Sequence, residues 1–310
     1  MLETHFGLRR RPFPSSPDHT CYYPSTSHEQ ALQALLVGLE DGEGVVALTG
    51  PPGTGKTLLC QCLLERVGPE TTAAFLTHTH MPDRAGLLQA ILYDLSLPHE
   101  GRSEQELRLT LIDHLVGRFA EGKRTLLVID EAHHLGVDLL EELRLLGNLE
   151  GNAGKAMQVV LVGHPDLLLT LASPRLESLR QRLVVRPTVE PLGVEEAADY
   201  ILHHLRAAGG SPDDLIDSET LELIAHRTAG VPRLLNQVMH HALRLAVTME
   251  CSSVELECAL ESLAAFGLAE PSEEGEVAEE SIRVEPVVES ARPVPAPTVC
   301  RLFVAPARSA

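Results

Sequence analysis

The sequence predicts an α/β fold, a parallel sheet sandwiched by helices, followed by a small all-α region. Three observations carry this. Short apolar runs alternate with helical patterns over residues 25–189, and alternation of that kind builds a parallel sheet covered on both faces. A glycine-rich run, Gly50-Pro51-Pro52-Gly53-Thr54-Gly55-Lys56-Thr57, lies between the first apolar run and a helical pattern. Residues 190–268 then contain helical patterns and no convincing strand.

Taken in order, residues 1–24 read as an extended leader, too rich in Pro for a helix. Phe6 and Phe13 within it suggest packing, because only 3% of the chain is aromatic. Ser27 reads as the N-cap of a helix through Leu39. Val45-Val46-Ala47-Leu48-Thr49 is a β-leaning run directly before the glycines, and a helix is expected from about Lys56. Ala73-Ala74-Phe75-Leu76-Thr77, Thr125-Leu126-Leu127-Val128-Ile129-Asp130 and Gln158-Val159-Val160-Leu161-Val162-Gly163 are strand-like, and Leu183-Val184-Val185 begins a further short strand. Helical patterns lie between them over residues 84–95, 104–121, 137–150 and 165–182. Four more, over 194–208, 218–228, 232–248 and 253–266, form a small helical domain spanning 190–268. Residues 269–310 are rich in Glu, Pro and Val with few patterned apolar positions, the composition of a disordered tail.

Composition narrows the function classes. A formal net charge of −19 argues against a broad nucleic-acid-binding surface, and Arg9-Arg10-Arg11 is the one run of three basic residues. Six cysteines show no zinc spacing and suit a reduced compartment. Of the close histidine pairs, three are adjacent residues, which make poor chelates on a helix, so no structural metal is expected. No apolar stretch reaches about 18 residues, so no membrane span is expected and a cytoplasmic location is.

The run from Gly50 to Thr57 matches the phosphate-binding loop G-x-x-x-x-G-K-[ST] at every specified position. Glycines let successive N–H groups turn inward toward a phosphate chain. Lys56 supplies charge to the β/γ-phosphates of ATP, and the Thr57 hydroxyl is a hard oxygen ligand for Mg²⁺. An apolar strand ending in Asp130-Glu131 places Asp130 beside that Mg²⁺ and leaves Glu131 to polarise an attacking water. ATP hydrolysis, beyond binding, is the implied chemistry. Asp130-Glu131-Ala132-His133 also spells the DEAH word of RNA helicases. A helicase core needs a second P-loop-like domain, and only about 80 helical residues follow the sheet. Arg182, closing a helix before the last strand, and Arg233, opening a helix of the small domain, are either phosphate-sensing arginines or ordinary surface ones.

Together these residues resemble an AAA+ ATPase of the origin-recognition-like branch, closest to the general secretion pathway protein A family and its exopolysaccharide- and exosortase-associated members. The matching words are Phe6-Gly7-Leu8 with Pro12-Phe13 and Pro17-Asp18, the phosphate loop, and Ile129-Asp130-Glu131-Ala132-His133. They continue with Glu142-Leu143-Arg144-Leu145-Leu146-Gly147-Asn148-Leu149-Glu150, Leu161-Val162-Gly163-His164-Pro165, Gln181-Arg182 and Gly230-Val231-Pro232-Arg233-Leu234-Leu235-Asn236. The resemblance implies an arginine finger acting in trans at Arg182 and a sensor-2 arginine at Arg233. It also implies a sensor-1-like role at His164, where the family usually has Gln. It further implies a homo-oligomeric ring or filament, a lid over residues 190–268, and protein partners in secretion or envelope-polysaccharide export. Secretion-type relatives continue into a membrane-spanning helix and a peptidoglycan-binding domain. This sequence continues into the acidic segment, so a direct role in wall remodelling is not expected. The alternative is a DNA-associated helper ATPase of the transposition type, and a nucleotide-locked scaffold is a third reading that the intact Lys56, Thr57, Asp130 and Glu131 set disfavours.

Overall fold

The computed structural model describes residues 2–16, 18–68, 70–77, 81–151 and 154–269. The expected acidic tail beyond residue 269, and His78 and His80, lie outside the described residues. Four fully parallel strands, β1 (Val45–Thr49), β2 (Thr71–Leu76), β3 (Arg124–Ile129) and β4 (Met157–Gly163), form a sheet of order β1-β4-β3-β2. The register sets Thr49 beside Gly163 and Ile129 beside Leu161, so β1, β3 and β4 end along one edge.

Strand periodicity divides the apolar side chains between two cores. Val45, Ala47, Leu127, Ile129, Val159 and Leu161 face one way. They meet α3 (Arg84–Asp94), α4 (Glu104–Ala120), α5 (Val137–Leu146), α6 (Asp166–Leu171) and α7 (Glu177–Arg182). Val46, Leu48, Leu126, Val128, Val160 and Val162 face the other way, against α1 (Thr26–Glu40) and α2 (Lys56–Arg66). On the first face Glu142 of α5 is fully buried. Arg108 of α4 donates to its Oε2 (2.8 Å) and stands in ion-pair contact with Oε1 (2.6 Å), and Arg84 of α3 lies at 4.0 Å. That ion pair ties three helices together where side-chain packing alone would leave a buried charge.

Four details of the α/β region differ from the sequence reading. The helix expected over 165–182 is broken at Ser173-Pro174, where a proline starts a 3₁₀ turn, Pro174–Leu176, between α6 and α7. The helix expected to reach residue 150 ends at Leu146. The N-cap of α1 is Ser25, whose side chain accepts from the His28 N–H, while the Ser27 hydroxyl accepts from the Glu190 N–H. Leu183-Val184-Val185 begins a run that follows β1 without forming a regular strand. It is joined by bridges at Leu183 and Thr188 and by bonds from Ala47 N–H to Val185 and from Thr49 N–H to Pro187. Pro187 has no N–H to continue a ladder.

The C-terminal helices α8 (Val194–Ala207), α9 (Ser218–Arg227), α10 (Pro232–Thr248) and α11 (Leu256–Ala265) share a core of their own. The leader is not wholly extended, since Leu2–His5 makes one helical turn and His19–Cys21 a 3₁₀ turn. It runs along these helices, burying Leu8 and Phe13 in their core. Its backbone is pinned by Arg9 N–H to Ala208 O (2.8 Å), and His204 Nδ1 lies 3.1 Å from Pro12 O. The basic run is partly spent here. Arg10 donates to Ala207 O and Thr20, and Arg11 to Phe13 O. No helix of the described residues is long and apolar enough to cross a membrane.

Candidate functional site

The site assembles where β1, β3 and β4 end. Residues 50–57 leave β1, Asp130 and Glu131 leave β3, and His164 leaves β4, which explains why three distant words meet. Gly53 and Gly55 take φ of 82° and 92°, the left-handed region that lets the loop curl before α2 begins at Lys56. Lys56 is buried and its Nζ donates to Gly50 O (2.9 Å) and Pro51 O (2.8 Å), placing the charge within the loop. Burial lowers its pKa, opposed by the nearby Glu131 and Asp130 carboxylates.

Thr57 Oγ1 donates to Asp130 Oδ2 at 2.6 Å. Two hard oxygens in contact, one a carboxylate, fit Mg²⁺ as a ligand pair. Asp130 is also fixed from behind, since its Oδ1 accepts the Glu131 N–H (2.9 Å). Glu131 itself sits at φ 51°, an unusual conformation for a residue with a Cβ. Its side chain is half exposed, and Oε2 lies 3.3 Å from His133 Nδ1. His133 also receives the His164 N–H on Nδ1 (3.3 Å) and packs against His134 with ring centroids 4.0 Å apart and planes tilted by 40°. Burial, the neighbouring imidazoles and Lys56 together push the His133 pKa down against the pull of Glu131.

A cleft of about 1030 Å³ is lined by Lys56, Thr57, Glu131, His133, His164 and Arg233, among others. The structure therefore brings the loop, Glu131, His164 and Arg233 to one cavity, with Asp130 beneath Thr57. His164 Nδ1 lies 2.9 Å from Asp166 Oδ2, which orients its ring. Arg233 opens α10, and its N–H donates to Gly53 O (3.1 Å). Arg182 is not brought there. It ends α7 on the exposed surface, hydrogen-bonded to Asn148. Phe13, Tyr22, Tyr23 and Tyr200 also line this cleft.

Sequence reasoning missed His28. It lies on α1, buried, with Nε2 2.7 Å from Thr54 O inside the loop. The only signal was a Ser-x-x-His spacing at a helix start, and that spacing reads equally as a cap.

Residues 39–171 match the family described as AAA domain. The general secretion pathway protein A of Aeromonas hydrophila is 38% identical over 244 residues, 78% of this chain and 44% of that protein. The ORC1-type DNA replication protein 9 of Halobacterium salinarum is 27% identical over 68% of this chain and 58% of its own length. The chain thus spans about half the length of the curated relatives it matches. Among solved structures, the ORC2 protein of Aeropyrum pernix, in ADPNP-ADP complexes, superposes with a TM-score of 0.64 at 19% identity, covering 84% of this chain and 72% of that one.

Proposed function

We propose that this chain, which carries an AAA domain and is 38% identical to general secretion pathway protein A over most of its length, is an AAA+ ATPase of the origin-recognition-like branch that hydrolyses ATP as an oligomerising switch on protein partners, in secretion or envelope-polysaccharide export. The observation that carries the chemistry is the pairing of Thr57 and Asp130 at 2.6 Å with Glu131 in the same cleft as Lys56. Thr57 and Asp130 would hold Mg²⁺, which supplies neutralising charge to the phosphates when bound. Lys56 binds and orients the β/γ-phosphates. Glu131 holds the attacking water and takes its proton on the carboxylate that faces His133. Arg233 and His164 line the γ-phosphate end, and helices α8 to α11 act as a lid that follows nucleotide state. The switch reading rests on the likeness to general secretion pathway protein A, 38% identical over most of this chain.

Arg182, exposed and outside its own cleft, suits a role at a neighbour's site. Two inactive variants test this together. Glu131→Gln should bind ATP and turn it over about 10²–10⁴-fold more slowly. Arg182→Ala should lose turnover as well. Mixed, they create interfaces in which an intact Glu131 meets an intact Arg182, and activity should return. No recovery across a range of concentrations spanning assembly would remove the finger role and the switch built on it.

A second reading, a DNA-associated helper ATPase, draws on the ORC1-type relative. The charge of −19 and the internal engagement of Arg10 and Arg11 weigh against it. ATP-dependent retention of DNA at about 50 mM salt, lost steeply as salt rises, would favour it over the first.

A further inference from the structure

The turn that opens α1 is bonded on two sides, and the two sides lead to different parts of the molecule. On one side His28 reaches the phosphate loop. Thr54 O can only accept, so the His28 Nε2 at 2.7 Å carries the proton. Nδ1 of the neutral ring is then the acceptor for the Ser25 hydroxyl at 2.5 Å. Both ring nitrogens are committed, and burial keeps the imidazole neutral by lowering its pKa. On the other side Thr26 donates twice to Glu196 Oε1 of α8, from its N–H at 2.9 Å and its hydroxyl at 2.7 Å.

The bond to Thr54 bears on phosphate binding through peptide geometry. In a planar trans peptide the C=O and the following N–H point in opposite directions. Holding the Thr54 C=O toward His28 therefore turns the Gly55 N–H away from His28, into the loop where anion-binding N–H groups must point. Rotation of this peptide would present a carbonyl to the phosphates in place of a donor. Space is tight as well, since a Cβ on Gly55 would lie 2.8 Å from His28 Nε2.

We propose that His28 is a positioning residue that sets the orientation of the Thr54–Gly55 peptide for ATP, and that the Thr26–Glu196 contact passes the placement of α8 to that peptide. Any buried imidazole must satisfy its nitrogens; what marks this one is that its N–H is spent on the Thr54 carbonyl of the phosphate loop. The role concerns binding, independent of water activation by Glu131, so affinity is the quantity to read.

The test is ATP affinity with Mg²⁺, measured by calorimetry on the full chain, with the melting temperature of each nucleotide-free variant recorded. His28→Ala should weaken ATP binding about 10- to 100-fold, the range expected when a buried carbonyl loses its donor. His28→Gln, whose amide can donate at a similar reach, should recover most of that loss. His28→Phe keeps the bulk without the donor and should not. Glu196→Ala should weaken ATP about 3- to 10-fold, and Glu196→Gln, which keeps an acceptor, should not. Affinity tracking side-chain volume, with Phe equal to or better than Gln, would overturn the positioning role. So would His28→Ala binding ATP within about threefold of wild type. Wild-type affinity in Glu196→Ala would overturn the α8 link. If His28→Ala fails to fold, the Gln and Phe pair decides.

Discussion

Gly55→Ala offers a quantitative probe of the loop. Gly55 sits at φ 92°, and an L-residue forced into the left-handed region costs about 1–2 kcal/mol. The added Cβ would also stand 2.8 Å from His28 Nε2, close enough that the ring must withdraw. Withdrawal forfeits the bond to Thr54 O and leaves a buried acceptor unsatisfied, a further cost of about 1–3 kcal/mol. The sum, about 2–5 kcal/mol, corresponds to roughly a 30- to 4000-fold loss of ATP affinity if it falls wholly on the binding-competent loop. Calorimetric titration of ATP into Gly55→Ala, His28→Ala and the double variant separates the two causes. The singles share the loss of one hydrogen bond, so the double should be less harmful than their sum by about that bond's cost, about 1–3 kcal/mol. Strict additivity would show that His28 and Gly55 act independently. Near-native affinity in Gly55→Ala would refute the geometric reasoning altogether.

Further outcomes follow from other parts of the molecule. Glu142→Ala strands the Arg108 guanidinium among α3, α4 and α5. Because Arg108 is 27% exposed it can partly rehydrate, so the loss should be about 2–4 kcal/mol. Calorimetric melting should fall by about 5–12 °C, and a shift under about 1 °C would contradict the clamp. Thr57→Ala removes one of the two proposed Mg²⁺ ligands. Its ATP affinity should respond little to chelation of Mg²⁺, whereas that of wild type should fall, and an equal response would exclude Thr57 as a ligand. His204 is buried against the leader with its pKa pushed down to about 4, chiefly by desolvation. The unfolded chain binds that proton near pH 6.5, so stability is complete above about 6.5 and is lost as pH falls toward 4, by up to about 3 kcal/mol. His204→Asn, which can still donate to Pro12 O, should show a flatter loss between those values in denaturant melts; parallel curves would exclude His204 as the titrating group.

How much of this was legible depends on how local each feature is. The sheet strands are local: an apolar run bounded by glycines or acids states its own limits, as Thr125-Leu126-Leu127-Val128-Ile129-Asp130 does. Once the strands are parallel, their C-terminal ends must lie together, so the loop, Asp130, Glu131 and His164 converge without further information. Features decided by distant partners were not legible. Ser25-Thr26-Ser27 offers three N-caps of similar quality, and the choice among them is made by Glu190 and Glu196, far along the chain. His28 precedes Thr54 by 26 residues, and its target is a main-chain carbonyl that no side-chain pattern reveals. The leader looked extended because prolines forbid a long helix, yet a single turn at Leu2–His5 precedes them and escapes that rule.

The two contacts on the loop from outside the sheet have a joint consequence. Arg233 N–H at the start of α10 holds Gly53 O, and His28 of α1 holds Thr54 O, so successive carbonyls are gripped by different elements. Those elements are joined elsewhere. Thr26 of α1 bonds Glu196 of α8, and α8 shares a core with α10 that includes Ile201, Leu205, Leu235 and Met239. The path from Gly53 through α10, α8 and α1 back to Thr54 is therefore closed. A displacement of α8 and α10 as a unit cannot leave both carbonyls in place, since one is held by the moving helices and the other by a turn that those helices pull. It must turn a peptide of the loop or break one of the three hydrogen-bonded contacts, Arg233–Gly53, His28–Thr54 or Thr26–Glu196. In this arrangement the placement of the C-terminal helices and the readiness of the loop for phosphate form one equilibrium, biased from either end.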